Sequence, residues 1–175
     1  MKKLLVLFII SFSTYGSVLF EPYVGMTFSG DVEESGEDGV FEGPGYGVKL
    51  GAQYQGLYGG FDYRLGSYTL DMDGDASKLE DKTLSSEIYY AFVGYEFPAF
   101  FKVWAGLGIG GRANSNEFEF TEGSGSLIGV GYKGLRLVSL NFEFNNWKYG
   151  KVDPGGDSDL EGSNFLFSVS VPINF

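Results

Sequence analysis

An antiparallel, eight-stranded, up-and-down β-barrel that spans a membrane is the all-β fold this sequence predicts, and three observations predict it. Apolar residues recur at every second position over segments long enough to cross a bilayer. Short and long connections alternate strictly along the chain. Acidic residues gather in the long connections and stay off the apolar faces.

The last strand shows the period best. Phe165, Phe167, Val169, Val171, Ile173 and Phe175 alternate with Leu166, Ser168, Ser170, Pro172 and Asn174. A transmembrane strand takes about 9–11 residues, whereas strands of soluble sheets average about 5–6. Working backward, Val138, Leu140, Phe142 and Phe144 alternate with Ser139, Asn141, Glu143 and Asn145. Ser126, Ile128, Val130 and Tyr132 oppose Gly125, Leu127, Gly129 and Gly131. Phe101, Val103, Ala105, Leu107 and Ile109 oppose Lys102, Trp104, Gly106, Gly108 and Gly110. In the N-terminal half, Tyr46, Val48, Leu50, Ala52 and Tyr54 face away from Lys49, Gly51 and Gln53. Leu57, Phe61, Tyr63 and Leu65 face away from Tyr58, Asp62 and Arg64. The segment 84–97 is apolar on both parities; Ile88, Tyr90 and Phe92 are assigned outward and Glu87 inward. A first strand from about Phe20 to Ser29 brings the number to eight.

Connections at Gln55-Gly56, Pro98-Ala99 and Lys133-Gly134 read as tight turns, whereas 30–44, 70–83, 112–122 and 148–163 read as long loops. Four long loops on one rim and three turns beside both termini on the other is the topology of outer-membrane barrels. Eighteen of the 23 acidic residues fall in those loops; the rest are Glu21, Asp62, Glu87, Glu96 and Glu143. Lipid-facing positions carry no charge at mid-strand, where Arg or Lys would cost about 2–4 kcal/mol.

Composition agrees with β structure. Among 175 residues there are 28 Gly, 17 Phe and 12 Tyr; each interior glycine would cost a helix about 1 kcal/mol, and aromatics favour pleated surfaces. The start, Met1-Lys2-Lys3 followed by the apolar run 4–10 and small residues near Gly16, fits a cleaved signal peptide over 1–16, with the barrel over 17–175. A retained transmembrane helix needs roughly 17–25 apolar residues, and this run is shorter. The formal charge of −11 becomes −13 without Lys2 and Lys3, which disfavours nucleic acid as a partner. With no cysteine there is no disulfide framework and no lipid-modified cysteine anchor.

On this parity Lys49, Asp62, Arg64, Glu87, Lys102, Arg112 and Glu143 point inward as a near-balanced lumen charge network. A structural plug is favoured over a gated pore or proton path, because the interior of eight strands is just wide enough for side chains to fill. Gly106–Gly111 matches G-x-G-x-x-G formally, but the glycines lie within a strand and no helix is expected to follow. Asp71, Asp73 and Asp75 resemble the start of a calcium loop, yet Ala76 and Lys82 stand where Gly and Glu are needed. No metal or cofactor is therefore expected. The chain has no histidine, which removes Ser-His-Asp hydrolysis and His-bearing zinc sites. Glu117 and Glu119 remain a carboxylate pair without a partner constellation. Phe118 and Phe120 could contact a surface partner or, the favoured reading, cap the barrel.

The opening Glu21-Pro22-Tyr23-Val24-Gly25, the glycine-rich alternating strands and the terminal Val169-Ser170-Val171-Pro172-Ile173-Asn174-Phe175 carry a resemblance. On them the chain resembles the OmpA/OmpX-like group of small outer-membrane β-barrel proteins. That resemblance implies that Val169, Val171, Ile173 and Phe175 form the signal read by the barrel assembly machinery. It also implies residence in the outer membrane, contact with outer-membrane lipid and lipopolysaccharide, and a structural, adhesin-like or receptor-like role rather than catalysis. A narrow pore for small ions or apolar solutes is the alternative. The peptidoglycan-binding domain that follows the barrel in OmpA proper has no counterpart before Phe175, so cell-wall tethering is not implied. Small-barrel lipid A deacylases and palmitoyltransferases depend on a histidine that this sequence lacks.

Overall fold

The computed structural model describes residues 16–34, 36–72, 83–115, 117–135 and 137–175. Seven long strands run in order: β1 (Ser17–Glu34), β2 (Glu37–Tyr54), β3 (Leu57–Met72), β4 (Thr83–Glu96), β5 (Phe101–Asn114), β6 (Glu119–Tyr132) and β7 (Ser139–Asp153). A two-residue β8 (Gly156–Asp157) folds back on β7; β9 (Glu161–Ser170) and the short β10 (Ile173–Asn174) follow. Consecutive strands pair antiparallel, and β9 pairs with both β7 and β1, which closes an eight-stranded ring. Closure gives each long strand a hydrogen-bonded neighbour on both sides, the condition for placing a sheet in hydrocarbon.

Strands β1 to β7 are 14–18 residues long, longer than the about 9–11 residues a bilayer crossing needs. They therefore rise above the membrane as a collar. The expected loop 30–44 is mostly strand, because β1 runs to Glu34 and β2 begins at Glu37. The expected loop 112–122 shrinks to the turn between Asn114 and Glu119, closed by Ser115 N–H donating to the Phe118 carbonyl at 2.9 Å. The reason is hydrophobic: Val32, Phe41, Leu70, Phe120 and Val152 of the collar point into a shared core. Residues 73–75 of the calcium-like segment, and residues 1–15 of the expected leader, lie outside the described residues.

On the wall between the rims the outward residues are large and apolar. Val24, Leu107 and Ile128 are 61%, 66% and 62% exposed, in company with Val48, Phe61, Val93, Phe142 and Phe167 on neighbouring strands. Such a contiguous belt is rare on a soluble monomer and marks a membrane or interaction surface. Tyr54, Tyr95, Phe97, Phe101 and Tyr132 girdle it at the turn rim, with Tyr95 packed edge-on to Phe97 at 5.0 Å. Gln55 (φ 50°) and Gly56 (φ 86°) form the first turn, with the positive φ values of a type I′ hairpin. The connection after β6 runs over 133–138, longer than the expected Lys133-Gly134 turn, and β7 starts one residue late at Ser139.

Candidate functional site: the lumen and the loop rim

Alternation turns one side chain in two inward, so each strand adds a column to the lumen. Near the turn rim, Lys102 on β5 pairs with Glu21 on β1, which also accepts a hydrogen bond from Ser170 on β9. Asn141 donates to Ser170 at 2.8 Å and accepts from Ser139 at 2.9 Å, tying β7 to β9.

One level higher, Arg64 on β3 is the hub. Its Nη2 meets Asp62 at 2.8 Å and Glu143 at 2.5 Å, its Nη1 donates to Asn145 at 2.7 Å, and its Nε donates to the Tyr23 hydroxyl at 2.8 Å. Tyr23 in turn donates to Asp62 at 2.8 Å. Glu143 is shared with Lys49 at 3.4 Å and accepts from the Trp104 indole at 2.6 Å. The Lys49 ammonium also lies 4.1 Å from the centre of the Trp104 ring, a cation–π contact. The three cations Lys49, Arg64 and Lys102 thus face the three anions Glu21, Asp62 and Glu143, and all six are buried.

Toward the loop rim the lumen becomes apolar. Phe41, Tyr68, Trp147, Tyr149 and Phe120 stack as edge-on or tilted pairs 5.0–6.4 Å apart. Leu160, wholly buried, seals this layer, its carbonyl accepting from Tyr149 N–H at 2.9 Å. Among the described residues, small cavities interrupt the filling: one of about 20 Å³ beside Arg64, Tyr90, Asn145 and Asn164, and one of about 10 Å³ beside Glu21, Tyr58 and Lys102. A single water needs roughly 10–15 Å³. Neither cavity is a conduit.

Five of the seven residues expected in the lumen network are there: Lys49, Asp62, Arg64, Lys102 and Glu143. Glu87 and Arg112 are not; both face outward and pair with each other at 2.8 Å. A bulge opposite Tyr89 and Tyr90 inserts Ile109 into β5, which reverses the parity so that Ala113 turns inward and Arg112 outward. On β4 the facing is opposite to the expected one: Ile88, Tyr90 and Phe92 fill the lumen, and Glu87 faces outward. The upper lumen is itself apolar, so hydrophobicity on β4 did not mark the lipid side. Phe118 and Phe120 are no surface contact either: Phe120 is wholly buried, and Phe118 packs against the same core. Glu21 was the member sequence reasoning missed, although Leu19, Glu21 and Tyr23 share one parity on β1.

The collar's outer surface carries the opposite chemistry. A bulge between Thr27 and Gly30 gives β1 one extra residue, so Val32 turns inward and Asp31 and Glu33 outward. Asp38 and Glu42 on β2 and Glu119 on β6 join them on the exterior. Lys148 meets Glu161 at 2.8 Å and Lys151 meets Glu122 at 2.5 Å. Both ammonium groups are held above their usual pKa, first by those hydrogen bonds and then by the carboxylate charges. Val169 and Val171 point outward near the turn rim with Ile173 half-buried, and Phe175 exchanges backbone hydrogen bonds with Val18 at 3.0 and 3.1 Å. Gly106–Gly111 lies inside β5, which continues to Asn114, so it does not open a helix.

Residues 4–172 match the outer membrane protein beta-barrel domain family. The chain belongs to this family. It is accordingly an integral protein of the outer membrane, and the closed ring and apolar belt suit it to a bilayer. The outer-membrane barrel has structural counterparts. Neisserial surface protein A superposes with a TM-score of 0.63 at 17% identity, over 87% of this chain and 96% of that one, a likeness of fold. Outer membrane protein OprG from Pseudomonas aeruginosa aligns at 10% identity and a TM-score of 0.42, over 89% and 96% of the two chains. No curated protein matches the sequence.

Proposed function

We propose that this outer-membrane barrel is a non-enzymatic surface protein with a structural, adhesin-like or receptor-like role, displaying its acidic collar to the exterior. The observation that carries the reading is the filled lumen: six mutually paired charges below, an aromatic layer above and, among the described residues, cavities of about 20 and 10 Å³. A barrel so filled has its recognition chemistry on the outside. There Asp31, Glu33, Asp38 and Glu42 stand on rigid strands rather than on loose loops. In this reading a cleaved leader exports the chain, the terminal Val169, Val171, Ile173 and Phe175 serve the assembly machinery, and the loop rim faces outward. The surrounding partners are outer-membrane lipid and lipopolysaccharide.

Planar-bilayer recording of the purified protein tests the closed lumen. The expected trace has no reproducible conductance steps; regular steps would overturn the reading in favour of a narrow pore. The collar is tested with the combined variant Asp31→Asn, Glu33→Gln, Asp38→Asn, Glu42→Gln. Cells carrying it should insert the barrel normally yet bind fluorescent polylysine less than cells carrying the native protein, and unchanged binding would remove the collar from the proposal. Hydrolysis of an envelope lipid by the purified protein, abolished by the same substitutions, would contradict the non-enzymatic role.

A further inference from the structure

On the outer wall, where the apolar belt meets the collar, a polar cluster stands apart from both the lumen and the acidic face. Glu87 on β4 accepts from the Tyr89 hydroxyl and from Arg112 Nε at 2.8 Å, and pairs with Arg112 Nη2 at 2.8 Å. Tyr63 on β3 stacks on Tyr89 with ring centres 5.1 Å apart. Neither of these Arg112 contacts uses Nη1, and the side chain is 56% exposed.

Beside the cluster the belt opens into a groove of about 390 Å³, lined by Val48, Leu50, Phe61, Tyr63, Tyr89 and Ile109. Strand register explains the hollow. Val48, Tyr63, Tyr89 and Gly110 form one cross-strand row, and Leu50, Phe61, Ala91 and Leu107 form the next. Each row has one small member among large ones. A Cβ at Gly110 would meet nothing within 4 Å.

We propose that this groove is a lateral binding site for a phosphorylated glycolipid of the outer leaflet: an acyl chain lies along the apolar lining, and Arg112 takes a headgroup phosphate. Three features select that occupant. The groove opens within the membrane belt, so its occupant comes from the bilayer. A planar guanidinium forms bidentate, charge-assisted bonds to phosphate, and Glu87, itself held by Tyr89 of the groove lining, ties Arg112 to the groove's edge. The stacked Tyr63 and Tyr89 supply an aromatic surface suited to the apolar face of a sugar ring, a ring that a phospholipid headgroup such as phosphatidylglycerol does not present. The choice of leaflet rests on the reading that the loop rim faces outward.

The test is native mass spectrometry of the full-length mature protein in detergent, titrated separately with diphosphorylated lipid A, dephosphorylated lipid A and phosphatidylglycerol. One lipid A molecule should be retained per barrel, with Arg112→Gln weakening retention about tenfold, the scale of one lost charge-assisted pair. Filling the hollow with Ala91→Phe or Gly110→Leu should weaken it comparably. Heat-modifiable migration confirms that each variant is folded; should a filling variant not fold, Arg112→Gln carries the test alone. Equal retention by Arg112→Gln, or equal retention of phosphatidylglycerol or of dephosphorylated lipid A by the native protein, would overturn the site. Labelling of Asp31→Cys on intact cells reports the orientation separately, so failure of the outward-facing reading is distinguishable from failure of the site.

Discussion

Arg64 donates to groups on three strands: Tyr23 on β1, Asp62 on its own β3, and Glu143 and Asn145 on β7. Breaking a buried ion pair by removing one partner leaves a charge without compensation, at a cost of about 3–5 kcal/mol. Arg64→Met is therefore expected to lower stability by that amount, read as a shift of the urea midpoint for loss of heat-modifiable migration in detergent. The Glu21–Lys102 pair separates pairing from mere presence of charge. Lys102→Met alone should cost about 3 kcal/mol or more, whereas Lys102→Met with Glu21→Gln should recover most of the loss, because no unpaired carboxylate remains. A different limit acts at Gly129, where an added Cβ would stand 2.3 Å from the Trp104 ring. Gly129→Val should push the indole off Glu143 and cost about 1–3 kcal/mol by overpacking, detectable as a change in tryptophan emission together with a lower urea midpoint.

Among the strands, the bulges decide which chemistry the collar shows. Below Thr27, β1 points its odd-numbered residues inward; above Gly30 it points its even-numbered ones inward. Deleting Ser29 removes the extra residue and would drive Asp31 and Glu33 into the aromatic layer, an environment that charged groups enter only when paired. The expectation is that Asp31→Cys labels readily with a membrane-impermeant maleimide in the otherwise native barrel. In the Ser29 deletion it should be protected, or the barrel should fail to fold. Undiminished labelling in a folded deletion variant would show that the strand slips to keep its acids outside. The β5 bulge at Ile109 has the same effect on Arg112, which is why that residue reaches the membrane boundary instead of the lumen.

At the scale of the molecule, two zones stack along the barrel axis inside, paired charges and an aromatic core, while the exterior changes from apolar belt to acidic collar. The collar behaves like a small water-soluble barrel set on a membrane one, largely apolar inside, with Glu34 buried at its upper end, and polar outside. Such a molecule should remain closed and compact when extracted in mild detergent. Unboiled and boiled samples should migrate differently in gels, and removal of Phe175, which pairs with Val18 through both backbone groups, should weaken the folded band. Identical migration of boiled and unboiled protein would contradict the closed ring.

Sequence alone determined the membrane barrel, its strand number and the facing of most strands, because lipid on one side and a polar lumen on the other impose a two-residue period that composition cannot hide. It placed Lys49, Asp62, Arg64, Lys102 and Glu143 together for the same reason. Tertiary structure alone decided the rest. Segment 84–97 meets an apolar lumen as well as lipid, so its period carries no sign, and only its register against Arg64 and Arg112 turns Ile88 inward and Glu87 outward. The apparent loops became a collar because their scattered apolar residues, Val32, Phe41, Phe120 and Leu160, gain a common core only once the ring closes. The bulges that turn Asp31, Glu33 and Arg112 outward depend on the partner strand's register, which no local pattern in the sequence encodes.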